Sequence, residues 1–314
     1  MTLRRAAIVA GWAVAVAAAA AWMRPLRFVV DGLSMAPGLM PADVVTTGWL
    51  PAADTLRTPR RFDRWIVTTA DDERALKRVV ALPGEAVAIH DGDLVVGGAT
   101  VLKPPSILGE VAVAAAATIV ADDRQAVVSA AEVLDDVAFV REVNRPLEVV
   151  RDTGLTAVVR TGATATRATF AGGGANACWL LPAHARCRIV GGRLDGHVVA
   201  VAWREPEASV ATLSPRVLPR RLPAAWSMAV PECDLAPNAA GVHWRIEVDQ
   251  AARLTDVAAW RDVHWRPVAD DGATWRLGHG SFLMLGDFPT ASIDSRAWGP
   301  LPRRALVHRV HPVP

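Results

Sequence analysis

The stretch Ala75-Leu76-Lys77-Arg78-Val79-Val80-Ala81-Leu82, followed at once by Pro83-Gly84-Glu85, sets the reading of this chain. Residues 75–82 are small, branched or apolar apart from two cations and stop at a Pro-Gly turn, which predicts a strand. Strand alternation puts Lys77 on one face with Ala75, Val79 and Ala81. A lysine among such neighbours is poorly hydrated, so its pKa falls and a neutral amine becomes available as a general base. The competing reading is an edge-strand lysine whose head reaches water. The chain has 34 Lys and Arg residues, and only Lys77 and Lys103 among them are lysines. Arginine serves almost everywhere else, so each lysine needs a reason.

Outward from that strand, residues 65–69 read as its partner across the polar turn Ala70-Asp71-Asp72-Glu73. Residues 87–89 and 93–96 flank His90-Asp91-Gly92 and read as a hairpin. Residues 28–30 form a short apolar run ending at the turn signal Asp31-Gly32, and residues 281–285 form a strand candidate ending at Gly286-Asp287. Lys103-Pro104-Pro105 breaks the pattern and starts a second segment. From about Ser106 to Leu277 come short runs rich in β-branched residues (126–128, 157–160, 188–190, 197–203, 242–248), separated by Gly, Pro and Asp. Residues 147–159 fit either helix or strand. The expected class is mostly β behind one hydrophobic helix.

Composition narrows the function. With 314 residues the chain suits one large domain or two ordinary ones. A hydrophobic content of 52% and a net charge of +2 exclude intrinsic disorder. No basic stripe supports nucleic-acid binding. Three cysteines exclude a disulfide-dense scaffold. Cys178 and Cys187 bracket Pro182-Ala183 closely enough that a disulfide and free thiols both stay open, with Cys233 left over. Cys178, His184, Cys187 and His197 match no standard zinc spacing. Gly172-Gly173-Gly174 lacks a following Gly-Lys-Ser/Thr and reads as a turn. Trp244, Trp260, Trp265 and Trp275 read as core anchors, with a carbohydrate or peptide platform as the alternative.

Residues 6–23 carry no charge. As a helix they would extend about 27 Å, enough to cross a thin hydrocarbon core. Arg4-Arg5 ahead of the run and small residues near its end suit a cleaved secretory signal equally well. Arg24 and Arg27 follow the run, so the charge count does not settle orientation.

Two further boxes carry chemistry. Val30-Asp31-Gly32-Leu33-Ser34-Met35-Ala36-Pro37-Gly38-Leu39, with Asp43 beyond, presents a serine just after a glycine turn, where a backbone N–H can serve as an oxyanion donor. Gly286-Asp287-Phe288-Pro289-Thr290-Ala291-Ser292-Ile293-Asp294-Ser295-Arg296-Ala297-Trp298-Gly299 places Ser292, Asp294 and Arg296 at alternate positions, so Asp294 and Arg296 can pair and Ser292 can bond the lysine. Taken singly, each box is also an ordinary polar turn.

Together and in this order, the three boxes resemble bacterial signal peptidase I, the membrane-bound serine protease with a Ser-Lys dyad. The resemblance covers roughly residues 1–100 and 280–311. It implies Ser34 as nucleophile, Lys77 as general base, Ser292 as a group orienting Lys77, and Asp294 with Arg296 as the supporting ion pair. It implies the Ser34 N–H as an oxyanion donor. Some members add a serine hydroxyl where this chain has Gly32. Val30, Met35, Leu39 and Leu76 fall where the family lines a shallow pocket for small residues. No cofactor and no metal are implied. The implied partners are exported preproteins with Ala-x-Ala-type signal peptides, and membrane lipid. The implied location is the inner membrane, with a single uncleaved anchor, the amino terminus inside and the catalytic domain outside.

The domain expectation is a cytoplasmic end (1–5), a membrane anchor (6–23), a signal-peptidase-type catalytic β-domain from both chain ends (24–104 and 280–314), and an inserted β-rich domain (105–279). The chain departs from the family at Pro37-Gly38, Ala42-Asp43, Pro83-Gly84-Glu85 and Phe288-Pro289, where the usual residues are Pro-Thr, Gly-Asp, Pro-Gly-Asp and Asn-(Arg/Ser). Two rivals stand beside this reading. One is a membrane-anchored, catalytically weak or inactive binding protein that keeps the boxes as scaffold. The other is a self-cleaving Ser-Lys repressor-type protease, which would need a DNA-binding region the sequence does not offer.

Overall fold

The computed structural model describes residues 12, 23–49, 51–129, 133–135, 146–206, 217–219, 222–231, 243–266 and 274–312. The chain is mostly β, as its short alternating runs predict. It divides into two compact units, residues 1–86 with 275–314, and residues 87–274. Most of the 6–23 segment lies outside the described residues. Among the described residues no helix is long and apolar enough to cross a membrane.

The first unit is built on a seven-stranded antiparallel sheet. Its strand order is Arg27–Val29, Val44–Thr47, Leu306–Pro312, Arg64–Thr68, Arg74–Ala81, Ser281–Leu285, Leu301–Pro302. Strands from the two chain ends interleave, so neither end can complete the sheet alone. Alternation gives the sheet two apolar faces. Trp65, Val67 and Val79 pack with Phe282, Met284, Leu301 and Leu306 on one face, with Ala75 and Trp298 beside them. Ile66 and Leu76, one residue out of phase, join Val30, Met35, Leu39, Val45 and Val310 on the other. Lys77 shares the phase of Ala75 and Val79 and pairs across the ladder with Trp65.

The Pro83-Gly84 turn needs its glycine, at φ 83°. Glu85, which stands in place of the family's Asp, closes that turn by accepting from Leu82 N–H at 2.7 Å and from Arg61 Nη2 at 2.6 Å. Ala42, in place of the family's Gly, is held at φ 71°, a left-handed conformation that costs a residue with a Cβ on the order of 1 kcal/mol.

The second unit opens with the hairpin expected around His90-Asp91-Gly92, in which Ala86–His90 pairs antiparallel with Asp93–Val96. Two larger antiparallel sheets follow. One has five strands in the order Ala175–Leu181, Thr166–Gly172, His243–Val248, Gln125–Ser129, Thr118–Ala121. The other has six, in the order Met228–Pro231, His197–Arg204, Arg186–Leu194, Thr153–Thr161, Ala252–Arg261, Val113–Ala114. Phe170, Trp244 and Ile246 from the first sheet and Leu155, Val159, Ile189 and Leu254 from the second form one shared core, the arrangement of a β-sandwich. The outer face of the six-stranded sheet carries Val190, Val199 and Trp260 against Leu108 of the helix Pro105–Val111, which Pro105 opens. The 147–159 stretch, open between helix and strand in sequence, supplies the strand Thr153–Thr161, because both of its edges are paired.

Trp244, Trp260 and Trp265 are fully buried, so they are core anchors rather than a ligand platform, while Trp275 is half-buried. Cys178 and Cys187 are free thiols. Cys178 faces outward on an edge strand and Cys187 faces the shared core, so the two point to different environments and no disulfide joins them. Cys233 lies outside the described residues. The His and Cys set around residues 178–197 does not gather; the cluster of metal-type ligands among the described residues is instead Asp93, Asp152, Asp195 and Asp262.

On the outer face of the six-stranded sheet, glycine lets strands and rings approach closely. A Cβ added to Gly154 would lie 2.2 Å from Gly191 O and 2.3 Å from the Trp260 ring. Gly154→Ala should therefore destabilise the chain by about 1–3 kcal/mol. Denaturant unfolding followed by tryptophan fluorescence should show a lowered midpoint, and an unchanged midpoint would contradict this close packing.

Candidate active site

Ser34 sits in a compact turn between the first two strands of the first unit. Ala36 N–H donates to Leu33 O and Leu39 N–H to Met35 O, both at 2.9 Å. The base of the loop is tied by Val30 N–H to Asp43 O and Ala42 N–H to Val30 O, both at 2.8 Å. Asp43 adds its carboxylate, which accepts from Met40 N–H at 3.0 Å. The Ala36-Pro37 peptide is cis. Ser34 is half-buried, and Gly32 beside it is exposed with open space where a side chain would go. Of the four pocket candidates, Met35 and Leu39 are 1% and 0% exposed and so belong to the core, and Val30 and the partly buried Leu76 pack in the same cluster.

Lys77 is 4% exposed. Burial is the largest influence on its ammonium and lowers its pKa to about 8; Asp294 and Asp287 pull it upward and Arg296 adds to the lowering. Trp298 covers the amine, its ring centre 5.8 Å from Nζ. Strand alternation puts Arg78 in the opposite phase. It is fully buried, and its guanidinium grips Asp287 through Nε–Oδ1 at 2.6 Å and Nη2–Oδ2 at 2.5 Å. Its third contact donates from Nη1 to Phe62 O at 2.9 Å.

The third box organises around Asp294, which is 1% exposed. Its Oδ2 accepts from Gly286 N–H at 2.9 Å, Ser292 Oγ at 2.8 Å and Arg296 Nη2 at 2.7 Å. Its Oδ1 accepts from Arg296 Nε at 2.8 Å and caps the short helix Ser295–Trp298 through Arg296 N–H. The Asp294–Arg296 pair expected from spacing thus forms as a two-point clasp. Ser292 differs from its expectation in one respect. Its single hydroxyl proton goes to Asp294, so only its lone pairs remain to meet Lys77.

Both dyad candidates reach this segment. Ser34 O accepts from Phe288 N–H at 3.0 Å. A Cβ on Gly286 would lie 2.6 Å from Ser34 O and 2.1 Å from Ser292 Oγ, so glycine is required where the serine loop and the third box touch. Lys77 meets the same segment at Trp298 and feels the charges of Asp287 and Asp294 there. The Phe288-Pro289 departure is absorbed without opening the loop: Phe288 is buried, and Pro289 starts a 3-10 turn and gives its carbonyl to Arg296 Nη2 at 3.0 Å.

Sequence reasoning missed three contributors. Arg78–Asp287 is a fully buried ion pair 209 residues apart. Its only signal was that two adjacent cations on a strand must face opposite sides, so one of them has to find a partner. Trp298 and Gly286 were quoted inside the third box without a role.

Residues 3–145 match the family described as signal peptidase, peptidase S26, a stretch that includes the Ser34 and Lys77 boxes and stops before the third. No curated protein matches the chain. The resemblance carried by the boxes is thus shared by the family model, and over residues 3–145 the chain is similar to the signal peptidases, peptidase S26.

Proposed function

We propose that this chain is a serine endopeptidase of the signal peptidase I type that removes N-terminal signal peptides from exported preproteins. The observation that carries the proposal is Lys77, a buried amine with its pKa brought to about 8, facing the same segment that holds the Ser34 loop. Neutral Lys77 takes the Ser34 hydroxyl proton as Oγ attacks the scissile carbonyl. The Ser34 backbone N–H stabilises the tetrahedral oxyanion. The amine returns its proton to the leaving nitrogen, an acyl-enzyme forms on Ser34, and water activated by Lys77 releases it. Asp294 and Arg296 hold the loop, and Ser292 helps orient Lys77 through that network. The preference for small side chains of the Ala-x-Ala type rests on the resemblance, which assigns Val30, Met35, Leu39 and Leu76 to the substrate pocket. Residues 6–23 serve as a single uncleaved anchor with the amino terminus inside. Ser34, eleven residues beyond Met23, then works near the outer surface of the inner membrane, where a substrate's own signal helix ends.

The direct test is cleavage of an exported preprotein with an Ala-x-Ala site in detergent. Wild type should cut at that site, and Ser34→Ala and Lys77→Ala should each lose at least about a thousandfold in rate. A folded wild type that stays inert from about pH 6 to about pH 10 would favour the binding-protein reading, since a lysine with its pKa near 8 is neutral within that window.

Three further outcomes follow from the geometry. Because the base must be unprotonated and its pKa is about 8, kcat/KM should rise about tenfold from pH 7 to pH 9 and then level off. A profile already flat at pH 6 would contradict Lys77 as base. Gly286→Ala, which pushes the Ser34 backbone and Ser292 apart, should lower kcat/KM by about a hundredfold in the same cleavage assay. Gly32→Ser should add a second oxyanion donor into open space and raise kcat by about tenfold.

A further inference from the structure

The other lysine lies in the second unit. Lys103 is fully buried, its Nζ touches Asp195 Oδ1 and its Nζ lies 2.7 Å from Asp262 Oδ2. The fully buried Trp265 ring walls the site, 5.2 Å from Nζ. Asp93 and Asp152 complete a group of four carboxyls whose ligand-type oxygens lie within 4.8 Å of one another. These residues arrive from separate places. Asp93 opens the strand Asp93–Val96, Lys103 precedes the helix Pro105–Val111, Asp152 precedes Thr153–Thr161, Asp195 lies in the turn before His197–Arg204, and Asp262 follows Ala252–Arg261.

Asp195 is held for attack on its carboxyl carbon. Its backbone takes the left-handed conformation, φ 48°, and its N–H donates to Asp152 Oδ2 at 2.6 Å. Its Oδ2 accepts the backbone N–H of Lys103 at 2.7 Å, while Oδ1 faces the Lys103 amine. One oxygen is thus placed to become the amide carbonyl, with an N–H to support it as charge develops. The other is placed to leave.

An ordinary ion pair does not account for the cluster, because with Arg193 on Asp152 one buried ammonium still faces the carboxyls of Asp93, Asp195 and Asp262. Burial, followed by the neighbouring carboxylates, pushes Asp93 up to about 10. Burial raises Asp195 to about 7 against the pull of Lys103, and raises Asp262 as well. Protons are therefore resident in the site at neutral pH. Burial also pulls the Lys103 ammonium down, but the four carboxylates outweigh it and hold it protonated. Activation must come from proton transfer within the cluster.

We propose that Lys103 and Asp195 condense into an intramolecular amide, with Asp262 carrying the protons. Asp262 takes one proton from the Lys103 ammonium, leaving a neutral amine. The nitrogen lone pair forms a bond to Asp195 Cγ, and the carbonyl π pair moves onto Oδ2, beneath the Lys103 N–H. The attacking nitrogen gives up a second proton through Asp262. The Cγ–Oδ1 bond breaks with its electron pair on oxygen, and the two protons leave with that oxygen as water. Ammonium plus carboxylate gives amide plus water, and no other reactant is needed. Held contact between amine and carboxyl supplies the proximity, and the dry pocket favours loss of water. The product leaves Asp152 with Arg193 at 3.2 Å and Asp93 as a neutral acid, and Asp262, which burial pushes upward, returns to the protonation state it had before the reaction.

This inference is independent of the peptidase reading. The test is mass spectrometry of protease digests of the full chain in detergent. The Lys103 and Asp195 peptides should be recovered joined and one water lighter than their sum, in wild type and in Ser34→Ala alike. Lys103→Arg should abolish the joined species. Asp195→Asn should still join, with ammonia lost in place of water. Asp262→Asn keeps both ends and should lower the joined fraction at least tenfold. Separate peptides at full sequence mass from folded wild type would overturn the proposal, and undiminished joining in Asp262→Asn would overturn the role of Asp262.

Discussion

Taking the Lys77 ammonium out of water is the constraint on which the first unit depends. Its strand places it at the edge of an apolar face, and Trp298 closes over it. Two carboxylates stand near enough to undo the effect of burial, Asp294 and Asp287. Each is already held by its own guanidinium, Arg296 in one case and Arg78 in the other. Neither is free to keep Lys77 charged, so desolvation wins and the amine comes within reach of neutral pH.

Lys103 provides the internal contrast. It is as thoroughly buried, yet its pKa is driven upward. Four carboxyls crowd it, and of these only Asp152 has an arginine partner among the ion pairs of the described residues. The same side chain, buried in both places, is pushed in opposite directions according to whether the neighbouring carboxylates are already neutralised. A chain that otherwise uses arginine has kept lysine at the two positions where an amine can lose its proton or form a bond, which a guanidinium does not do.

Much of the local structure was legible in sequence. The Lys77 strand, the hairpin around Gly92 and the 281–285 strand follow from alternation and turn residues, and the Asp294–Arg296 clasp follows from a spacing of two. Pairings across long stretches of chain were not. Strand period gives no sign that Leu306–Pro312 slots between Val44–Thr47 and Arg64–Thr68, nor that Arg78 finds Asp287. Lys103-Pro104-Pro105 reads as a break, yet it starts a helix inside the second unit, because Lys103 is tied to Asp195 and Asp262 further along the same unit. The cysteine spacing left a disulfide open, and the sheet alternation that separates Cys178 from Cys187 emerges only once both strands are placed.

Having only two lysines makes the central claim directly measurable. Protein carrying 13C at the lysine ε position should give two resolvable NMR environments, with Lys77 assigned by its loss in Lys77→Arg. The account predicts that the Lys77 signal titrates with a midpoint at about 8 and that the Lys103 signal does not move across that range. A Lys77 midpoint at or above the ordinary lysine value of 10.5 would contradict the account, because the amine would then be charged wherever it was asked to act as a base.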